Sequence, residues 1–209
     1  MPVLLRLDSS ADLAHSRTRL LTRAFVEAWH ARGPGHTVLT RDLHTNPLPH
    51  MTQTAQHWPE RLRGGETLDE SRQSLQDEVI AELLSADVVV IGAPMYNYSM
   101  PSTLKAWIDL IHVPAITAPF DVQTQPMKGR TAILISARGA AYDAGTPQAD
   151  WDHVTPPLAL VLGEGLGMDV RIVTVDRTLA DTVPALEPAL AERSLAAALA
   201  RTTALAAEV

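Results

Sequence analysis

The chain has 209 residues, enough for one domain with a substantial core, and 46% of them are hydrophobic. It contains no cysteine, which excludes disulfide bonds, thiolate metal sites and thiol nucleophiles. Its formal net charge of −7 disfavours a general nucleic-acid binder, and we predict neither a nucleic-acid partner nor a metal site.

The first apolar segment, PVLLRL at residues 2–7, predicts a first strand. It is too short to cross a bilayer, and Arg6 and Asp8 stand where a signal peptide would stay apolar. Longer apolar stretches elsewhere are broken by charged residues. We therefore expect no membrane partner and a cytoplasmic location.

Helical and strand patterns alternate along the rest of the chain. Apolar residues at three- and four-residue steps predict a helix over 13–32, and Thr67 opens a capping-box pattern, TLDE, that predicts a helix to about residue 86. The run DVVVIGAP, residues 87–94, is the clearest buried strand. The other predicted strands are 36–43, 131–139 and 169–176, the other helices are 100–112, 151–163 and 184–207, and a proline-rich surface excursion covers 44–65.

Five strands that alternate with helices imply a mainly parallel sheet covered on both faces. We predict the α/β class, with a flavodoxin-like, doubly wound, five-stranded parallel sheet and helices on both faces. The whole chain, residues 1–209, is expected to form a single domain. In such a sheet ligands bind beyond the carboxyl ends of the strands, where three loops of unusual composition follow predicted strands.

The first of these loops, DSSADLAHSRT at residues 8–18, is rich in hydroxyl groups and leads into a helix. A helix N-terminus offers free N–H groups and a positive dipole end, so Ser9, Ser10, Ser16 and Thr18 could help to hold a phosphate. Ordinary helix capping, which needs only one hydroxyl, is the alternative.

The second and third loops carry residues suited to a flat ring. Met95 and Tyr96, directly after the central strand, can pack against such a ring, and Asn97 can donate and accept hydrogen bonds; core packing is the alternative for Met95 or Tyr96 alone. The third loop, SARGAAYD at residues 136–143, has small residues that allow close backbone approach, with a simple turn as the alternative. One ligand matches all three loops: a flat, partly polar ring with a phosphate tail.

At this point the sequence resembles a known family. PMYNYSMPSTLKAWIDLI is similar to the signature loop and helix of the bacterial FMN-dependent NADH:quinone oxidoreductases and azoreductases. LDSSADLAHSRT resembles the phosphate loop of that family, and ISARGAAYD resembles its third loop. The order and spacing of the predicted strands match over essentially the whole chain.

The resemblance implies a homodimer that binds one FMN per subunit, with each active site at the subunit interface. It also implies two-electron ping-pong chemistry, in which NADH or NADPH reduces the flavin and a quinone or azo compound then takes the electrons. No side chain is required as a catalytic acid or nucleophile, and the Asn97 backbone N–H is expected near flavin N5. Carried over by position, the phosphate is bound by Ser9, Ser16, Arg17 (through its backbone) and Thr18, the ring is lined by Pro94, Met95, Tyr96, Asn97 and Tyr98, and the pyrimidine edge meets Ser136, Arg138 and Gly139.

The substrate pocket departs from the family pattern. The loop at 117–128 looks shorter than usual and offers Phe120 as a pocket residue, while 155–167 lacks the aromatic residues that often wall the pocket. Tyr142 or His153 are candidates to compensate, although a solvent-facing helical position is the plainer interpretation of His153. We therefore expect a substrate preference unlike that of better-known azoreductases.

Three other functions remain open at this stage. A one-electron flavodoxin-type carrier usually has a strongly acidic rim, whereas this chain is only modestly acidic. A hydrolase using Ser9, Ser10 or Ser136 lacks a G-x-S-x-G elbow and an assignable histidine base. An FMN-binding regulatory dimer without turnover is the third. The sequence favours neither NADH nor NADPH and does not specify the physiological acceptor.

Overall fold

Five parallel strands form a single sheet at the centre of the computed structural model, which describes residues 1–209. In spatial order the strands run β2-β1-β3-β4-β5, and every neighbouring pair is parallel. This order confirms the predicted flavodoxin-like doubly wound sheet. The strands are β1 (Val3–Asp8), β2 (Thr37–Asp42), β3 (Val88–Pro94), β4 (Thr131–Ala137) and β5 (Asp169–Val175).

Helices cover both faces of this sheet, as predicted. The α-helices are α1 (Arg17–His30), α2 (Glu70–Ser85), α3 (Ser102–Ile111), α4 (Thr155–Ala159) and α5 (Pro188–Glu208). Helix α4 is short and continues into a π-helical turn at Leu160–Gly165. Single 3₁₀ turns lie at Thr54–His57, Glu60–Leu62, Ala149–Trp151 and Pro184–Leu186. None of the helices is both long enough and apolar enough to cross a membrane.

Two apolar cores lie on opposite faces of the sheet because successive strand residues point to opposite sides. Leu4 belongs to the core that α1 and α5 cover, whereas Leu5 belongs to the core that α2, α3 and α4 cover. All seven residues of β3 are buried, which is why this central strand has a continuous apolar sequence. Each fully buried Val, Leu or Ile side chain in these cores contributes roughly 1.5–3 kcal/mol to stability through the hydrophobic effect.

Helix α1 begins at Arg17 rather than at the predicted residue 13. Its N-cap is Ser16, while the Asp12 carboxylate accepts hydrogen bonds from the N–H groups of Ala14 (3.0 Å) and His15 (2.8 Å). These bonds hold residues 12–15 in a turn, and the ψ of 122° at Ser16 breaks the helical path between this turn and α1. The loop after β1 is therefore longer than the sequence pattern indicated.

The starts of α2 and α4 also differ from the predictions, and α5 begins at Pro188 rather than 184 because a 3₁₀ turn precedes it. Asp69, not Thr67, is the N-cap of α2, and its carboxylate accepts a hydrogen bond from the Ser71 N–H at 2.8 Å. Helix α4 begins at Thr155, not at Trp151, because the Asp152 carboxylate accepts hydrogen bonds from the first backbone N–H groups. In both places an aspartate side chain, Asp69 or Asp152, accepts hydrogen bonds from backbone N–H groups at the observed start of the helix.

The excursion at 44–65 lies against the body of the protein. Gln76 donates a hydrogen bond to the Gln56 carbonyl at 2.8 Å, and Arg61 forms two hydrogen bonds of 2.6 Å with Asp121. Leu48, within the excursion, is buried in the core on the α2 and α3 face of the sheet. These contacts attach the excursion to α2 and to the loop at 117–128.

Candidate functional site

A cavity of about 390 Å³ opens at the carboxyl ends of the strands, in the size range of small-ligand sites. Its walls are formed by the loops that follow β1, β3, β4 and β5. The lining residues are Ser10, Asp12, His15, Ser16 and Arg17 after β1, Pro94, Met95 and Tyr96 at β3, Ala137 and Gly139 at β4, and Thr178, Leu179 and Asp181 after β5.

The predicted binding residues fall into two groups around this cavity. Ser16, Arg17, Pro94, Met95, Tyr96 and Gly139 line it directly. Ser9, Thr18, Asn97, Tyr98, Ser136 and Arg138 belong to the same four loops and strand ends but do not line it. The structure thus brings the three predicted loops together at one edge of the sheet.

The loop after β1 presents hydrogen-bond donors at the start of α1. The N–H groups of Arg17 and Thr18 donate to no protein acceptor, as expected for the first turn of a helix. The hydroxyl groups of Ser16 and Thr18 lie 3.0 Å apart beside them. Free amides, hydroxyls and the positive end of a helix dipole together form a site for an anion such as a phosphate.

Gly92 of β3 allows α1 to approach the sheet closely at this point. A Cβ atom at Gly92 would lie 3.2 Å from Asp8 Oδ1, 3.2 Å from Thr22 Cγ2 and 3.3 Å from Thr18 Cβ. The Ser9 hydroxyl donates to the Gly92 carbonyl at 2.7 Å, so it is engaged with the strand. Ser9 therefore shapes the base of the loop rather than facing the cavity.

Arg19 holds the same loop from below. Its Nε and Nη2 atoms donate to the Ser10 carbonyl at 3.2 and 2.8 Å, and its Nη1 and Nη2 atoms donate to Asp42 at 2.6 and 2.9 Å. The hydrogen bonds from Arg19 lower the pKa of the Asp42 carboxyl to about 2, helped by the N–H groups of Thr45 and His44. The ionised pair therefore fixes the backbone of the loop before any ligand arrives.

A tight turn at residues 96–99 follows β3 and contains three of the residues predicted to line the ring, Tyr96, Asn97 and Tyr98. Tyr96 and Ser99 exchange two backbone hydrogen bonds of 2.9 and 3.0 Å, and both central residues, Asn97 and Tyr98, have positive φ angles of 49° and 68°. Positive φ is uncommon for a bulky residue such as Tyr98 and occurs most often at functional sites. Neither the Asn97 nor the Tyr98 N–H donates to a protein acceptor, so both are free to bind a ligand.

Tyr96 connects this turn to the loop after β1. Its phenolic oxygen accepts a hydrogen bond from the Ala11 N–H at 3.0 Å and lies 3.3 Å from the Ser10 hydroxyl. The two loops are therefore joined across the floor of the cavity.

The third loop contributes backbone rather than charged side chains to the cavity. The Ser136 hydroxyl is fully buried and has no hydrogen-bond partner, while the Arg138 guanidinium is buried among carboxylates. A Cβ atom at Gly139 would lie 2.8 Å from Leu179 Cδ1, so glycine makes room for the loop after β5. Tyr142 lies over the Arg138 guanidinium, with 5.7 Å from its ring centre to Cζ.

Sequence reasoning missed the wall that follows β5. Thr178, Leu179 and Asp181 line the cavity, and Arg17 Nη2 lies 3.5 Å from Asp181 Oδ2. The sheet order contained the signal, because β5 neighbours β4 and its carboxyl end must lie at the same edge. Because the carboxylates of Asp12 and Asp181 offset the charge of Arg17, amides and hydroxyls rather than net positive charge would hold an anion here.

The candidate pocket residues lie outside the cavity. Phe120 is exposed and packs edge-on against Trp58, with ring centres 5.3 Å apart. His153 precedes α4 rather than lying within a helix, and its N–H donates to the Tyr98 carbonyl at 2.9 Å. This bond makes His153 a neighbour of the turn at 96–99.

The donors present fit the two ends of FMN. The free amides of Arg17 and Thr18, with the adjacent hydroxyls, suit a phosphate. The free amides of Asn97 and Tyr98 suit the polar edge of a flavin ring, against which Met95 and Tyr96 could pack. One elongated molecule with a phosphate at one end and a flat ring at the other would use both sets of donors.

Comparison with known proteins agrees with this arrangement. A family model described as flavodoxin-like fold matches residues 3–201. An FMN-dependent NADH:quinone oxidoreductase of Kineococcus radiotolerans is 51% identical over 197 residues, which cover 94% of this chain and 92% of that protein. One from Frankia alni is 38% identical over 196 residues, which cover 89% of each chain.

Solved structures of similar fold include azoreductases. A Bacillus anthracis azoreductase superposes with a TM-score of 0.84 at 22% identity, over the full length of both chains. An FMN-dependent NADH-azoreductase of Bacillus anthracis, solved in complex with FMN, superposes with a TM-score of 0.82 at 21% identity, covering 100% of this chain and 99% of that one. By its sequence relatives, this chain belongs to the flavodoxin-like family of FMN-dependent NADH:quinone oxidoreductases.

Proposed function

We propose that the protein is an FMN-dependent NAD(P)H oxidoreductase that reduces quinones and azo compounds. Its relatives at 51% and 38% identity are named FMN-dependent NADH:quinone oxidoreductases. The observation that carries the proposal is the pair of free donor sets, at the start of α1 and in the turn at 96–99, around one cavity. FMN, when bound, supplies the hydride acceptor and donor, and the protein supplies its position and surroundings.

The residues of the chain have distinct tasks in this proposal. The N–H groups of Arg17 and Thr18 and the hydroxyls of Ser16 and Thr18 hold the phosphate. The N–H groups of Asn97 and Tyr98 bind the polar edge of the ring, where fixed donors favour negative charge that develops on reduction. No side chain needs to act as an acid or a nucleophile, and we assign no catalytic residue.

Ping-pong use of one binding face is part of the same proposal. The cavity of about 390 Å³ is assigned to FMN itself, and in this proposal the nicotinamide and the acceptor use the remaining open side of the bound ring in turn. Initial rates measured at several fixed quinone concentrations should give parallel double-reciprocal lines against NADH. Intersecting lines would reject the ping-pong order while leaving the oxidoreductase intact.

We also propose that the protein acts as a homodimer with each site at the subunit interface. Tyr98 and Trp151 pack edge-to-face with ring centres 5.5 Å apart, and each is 48% exposed next to the ring-binding turn. A second copy would cover this aromatic pair and complete the wall of the site. Trp151→Glu should give a monomer in analytical ultracentrifugation, whereas Leu199→Glu, a similarly apolar exposed position on α5, should stay dimeric.

Two broader expectations belong to the proposal as well. Residues 1–209 should unfold as a single domain, because all strands share one sheet with a core on each face. We expect a cytoplasmic location, so cell fractionation should recover the protein in the cytoplasmic fraction.

Steady-state assays test the activity directly. Oxidation of NADH should require both added FMN and an acceptor, with benzoquinone and an azo dye tested separately, and the same assays with NADPH should establish the donor preference. Stoichiometric FMN binding without acceptor-dependent NADH oxidation would reject the enzyme and favour the carrier or regulatory function. Failure to bind FMN would reject the whole proposal.

A further inference from the structure

We propose that Arg138 is a positioning residue that holds the ring-binding turn at 96–99 through Asp152, without contacting the ligand. This inference rests on the proposed function, because it concerns how the same site is built. It replaces the expectation that the Arg138 side chain meets the edge of the ring.

The guanidinium of Arg138 is hydrogen-bonded to three carboxylates. Only 4% of Arg138 is exposed, and its Nε and Nη2 atoms donate to Asp176 at 2.6 and 2.9 Å. Nη1 donates to Asp152 Oδ2 at 3.2 Å, and Nη2 also donates to Asp143 Oδ1 at 3.0 Å. All three nitrogens are therefore engaged within the protein, and Arg138 does not line the cavity.

Asp152 passes this attachment on to the turn. Its Oδ1 atom accepts hydrogen bonds from the N–H groups of Val154 (2.8 Å) and Thr155 (2.9 Å), and its Oδ2 atom accepts from the Thr155 hydroxyl at 2.7 Å. These bonds leave the intervening His153 backbone with one orientation. The His153 N–H donates to the Tyr98 carbonyl at 2.9 Å, and the Ser99 hydroxyl donates to the His153 carbonyl at 3.3 Å.

The turn needs such support because of its backbone. Asn97 and Tyr98 both have positive φ, a conformation that persists only where the surrounding structure holds it. Fixing the Tyr98 carbonyl and Ser99 at one end of the turn fixes the directions in which the Asn97 and Tyr98 N–H groups point. A planar arginine fork suits this task, because it can bind two carboxylates in a set geometry, whereas a lysine ammonium cannot.

Of the carboxylates bound by Arg138, only Asp152 connects it to the turn at 96–99. Asp176 directly follows β5 and Asp143 is 67% exposed at its side chain, and neither is hydrogen-bonded to the turn. Asp152 alone of the three carboxylates adjoins a residue that is hydrogen-bonded to the turn. Removing Asp143 therefore serves as a matched control for removing the charge of Asp152.

The test compares Asp152→Asn, Arg138→Lys and Asp143→Asn with the wild type. Asparagine retains the helix-capping oxygen, so Asp152→Asn removes the charged contact with Arg138 while keeping the start of α4. In the ligand-free protein, Asp152→Asn and Arg138→Lys should shift the ¹H–¹⁵N resonances of Asn97, Tyr98 and Ser99 and speed their amide exchange. With FMN, both should raise the Kd roughly tenfold, as supporting contacts do at other sites, and should change the flavin midpoint potential.

Asp143→Asn should leave the resonances of the turn, the FMN Kd and the midpoint potential at their wild-type values. The inference is overturned if Asp152→Asn behaves like Asp143→Asn, or if it shifts the resonances of all the cavity loops equally with a matching loss of stability. Should Arg138→Lys fail to fold, Asp152→Asn decides alone. Because the resonances are measured without FMN, a protein that binds no FMN would refute the proposed function and still test the role of Arg138.

Discussion

The hydroxyl groups at the start of α1 should distinguish FMN from riboflavin, since only FMN has a phosphate. We expect Ser16→Ala and Thr18→Val each to weaken FMN binding by one charge-assisted hydrogen bond. Such a bond contributes about 1.5–3 kcal/mol, which corresponds to a rise in Kd of roughly 10- to 150-fold. Riboflavin binding should stay unchanged in both variants, because the ring is held at the turn at 96–99.

Ser16 has a second role that must be separated from the first. Its hydroxyl accepts a hydrogen bond from the Arg19 N–H at 3.2 Å and caps α1, so Ser16→Ala should also lower the free energy of unfolding by about 1 kcal/mol. Asp69→Ala removes the corresponding cap of α2, where the carboxylate accepts from the Ser71 N–H. It should cost a similar free energy of unfolding and leave FMN affinity unchanged.

Flavin fluorescence titrations with FMN and riboflavin, together with urea unfolding of each variant, supply the required values. Equal losses for FMN and riboflavin would refute the phosphate assignment. A loss of FMN affinity in Asp69→Ala as large as that in Ser16→Ala would attribute the effect to stability instead.

Three further predictions concern the turn, the ion pair below the first loop and the close approach of β3. Asn97→Pro should weaken flavin binding more than tenfold, because proline has no N–H and cannot adopt a φ of 49°, whereas Asn97→Gly keeps both features and should bind normally in the same titration. Asp42→Asn should lower the free energy of unfolding at neutral pH by about 1 kcal/mol. The lowering of the Asp42 pKa from 3.8 to about 2 corresponds to ~2.4 kcal/mol, and solvent screening of this partly exposed pair with Arg19 reduces that value. Because the pKa of Asp42 is lower in the folded than in the unfolded protein, its ionised carboxyl stabilises the fold at pH values above the unfolded pKa. Urea unfolding should therefore show this difference in free energy above about pH 4 and lose it by about pH 2. Gly92→Ala should lower the free energy of unfolding by about 1–3 kcal/mol and should weaken FMN binding by displacing Thr18. Gly163→Ala, whose Cβ would make an ordinary 3.6 Å contact, should change neither stability nor FMN binding.

Local sequence patterns predicted the sheet because each strand carries its own signal. The run at 87–94 is apolar throughout, as a central strand buried on both faces must be, and its alternation with helices fixed the parallel order. The sequence also indicated that the loop containing the turn at 96–99 binds a ligand, since an ordinary connecting turn does not need Met, Tyr and Asn directly after a buried strand. These features depend on neighbours in the chain and can be identified without the structure.

The wrongly predicted helix starts and the surroundings of Arg138 both depend on hydrogen bonds that the sequence pattern does not show. Leu13 fits the apolar period of α1, yet the backbone leaves the helical path at Ser16, which caps α1 through the Arg19 N–H. Arg138 matches a family position, but its partners, Asp143, Asp152 and Asp176, come from three separate segments. No local pattern in the sequence indicates that these carboxylates converge on one guanidinium.

Anaerobic titration of the FMN-loaded protein with NADH tests the central claim most directly. The flavin absorbance in the visible region should bleach in a single step with one equivalent of NADH, and benzoquinone should restore it. That result is expected if the free amides at α1 and at 96–99 hold FMN for two-electron transfer. Flavin that binds but keeps its colour when NADH is added would contradict the account.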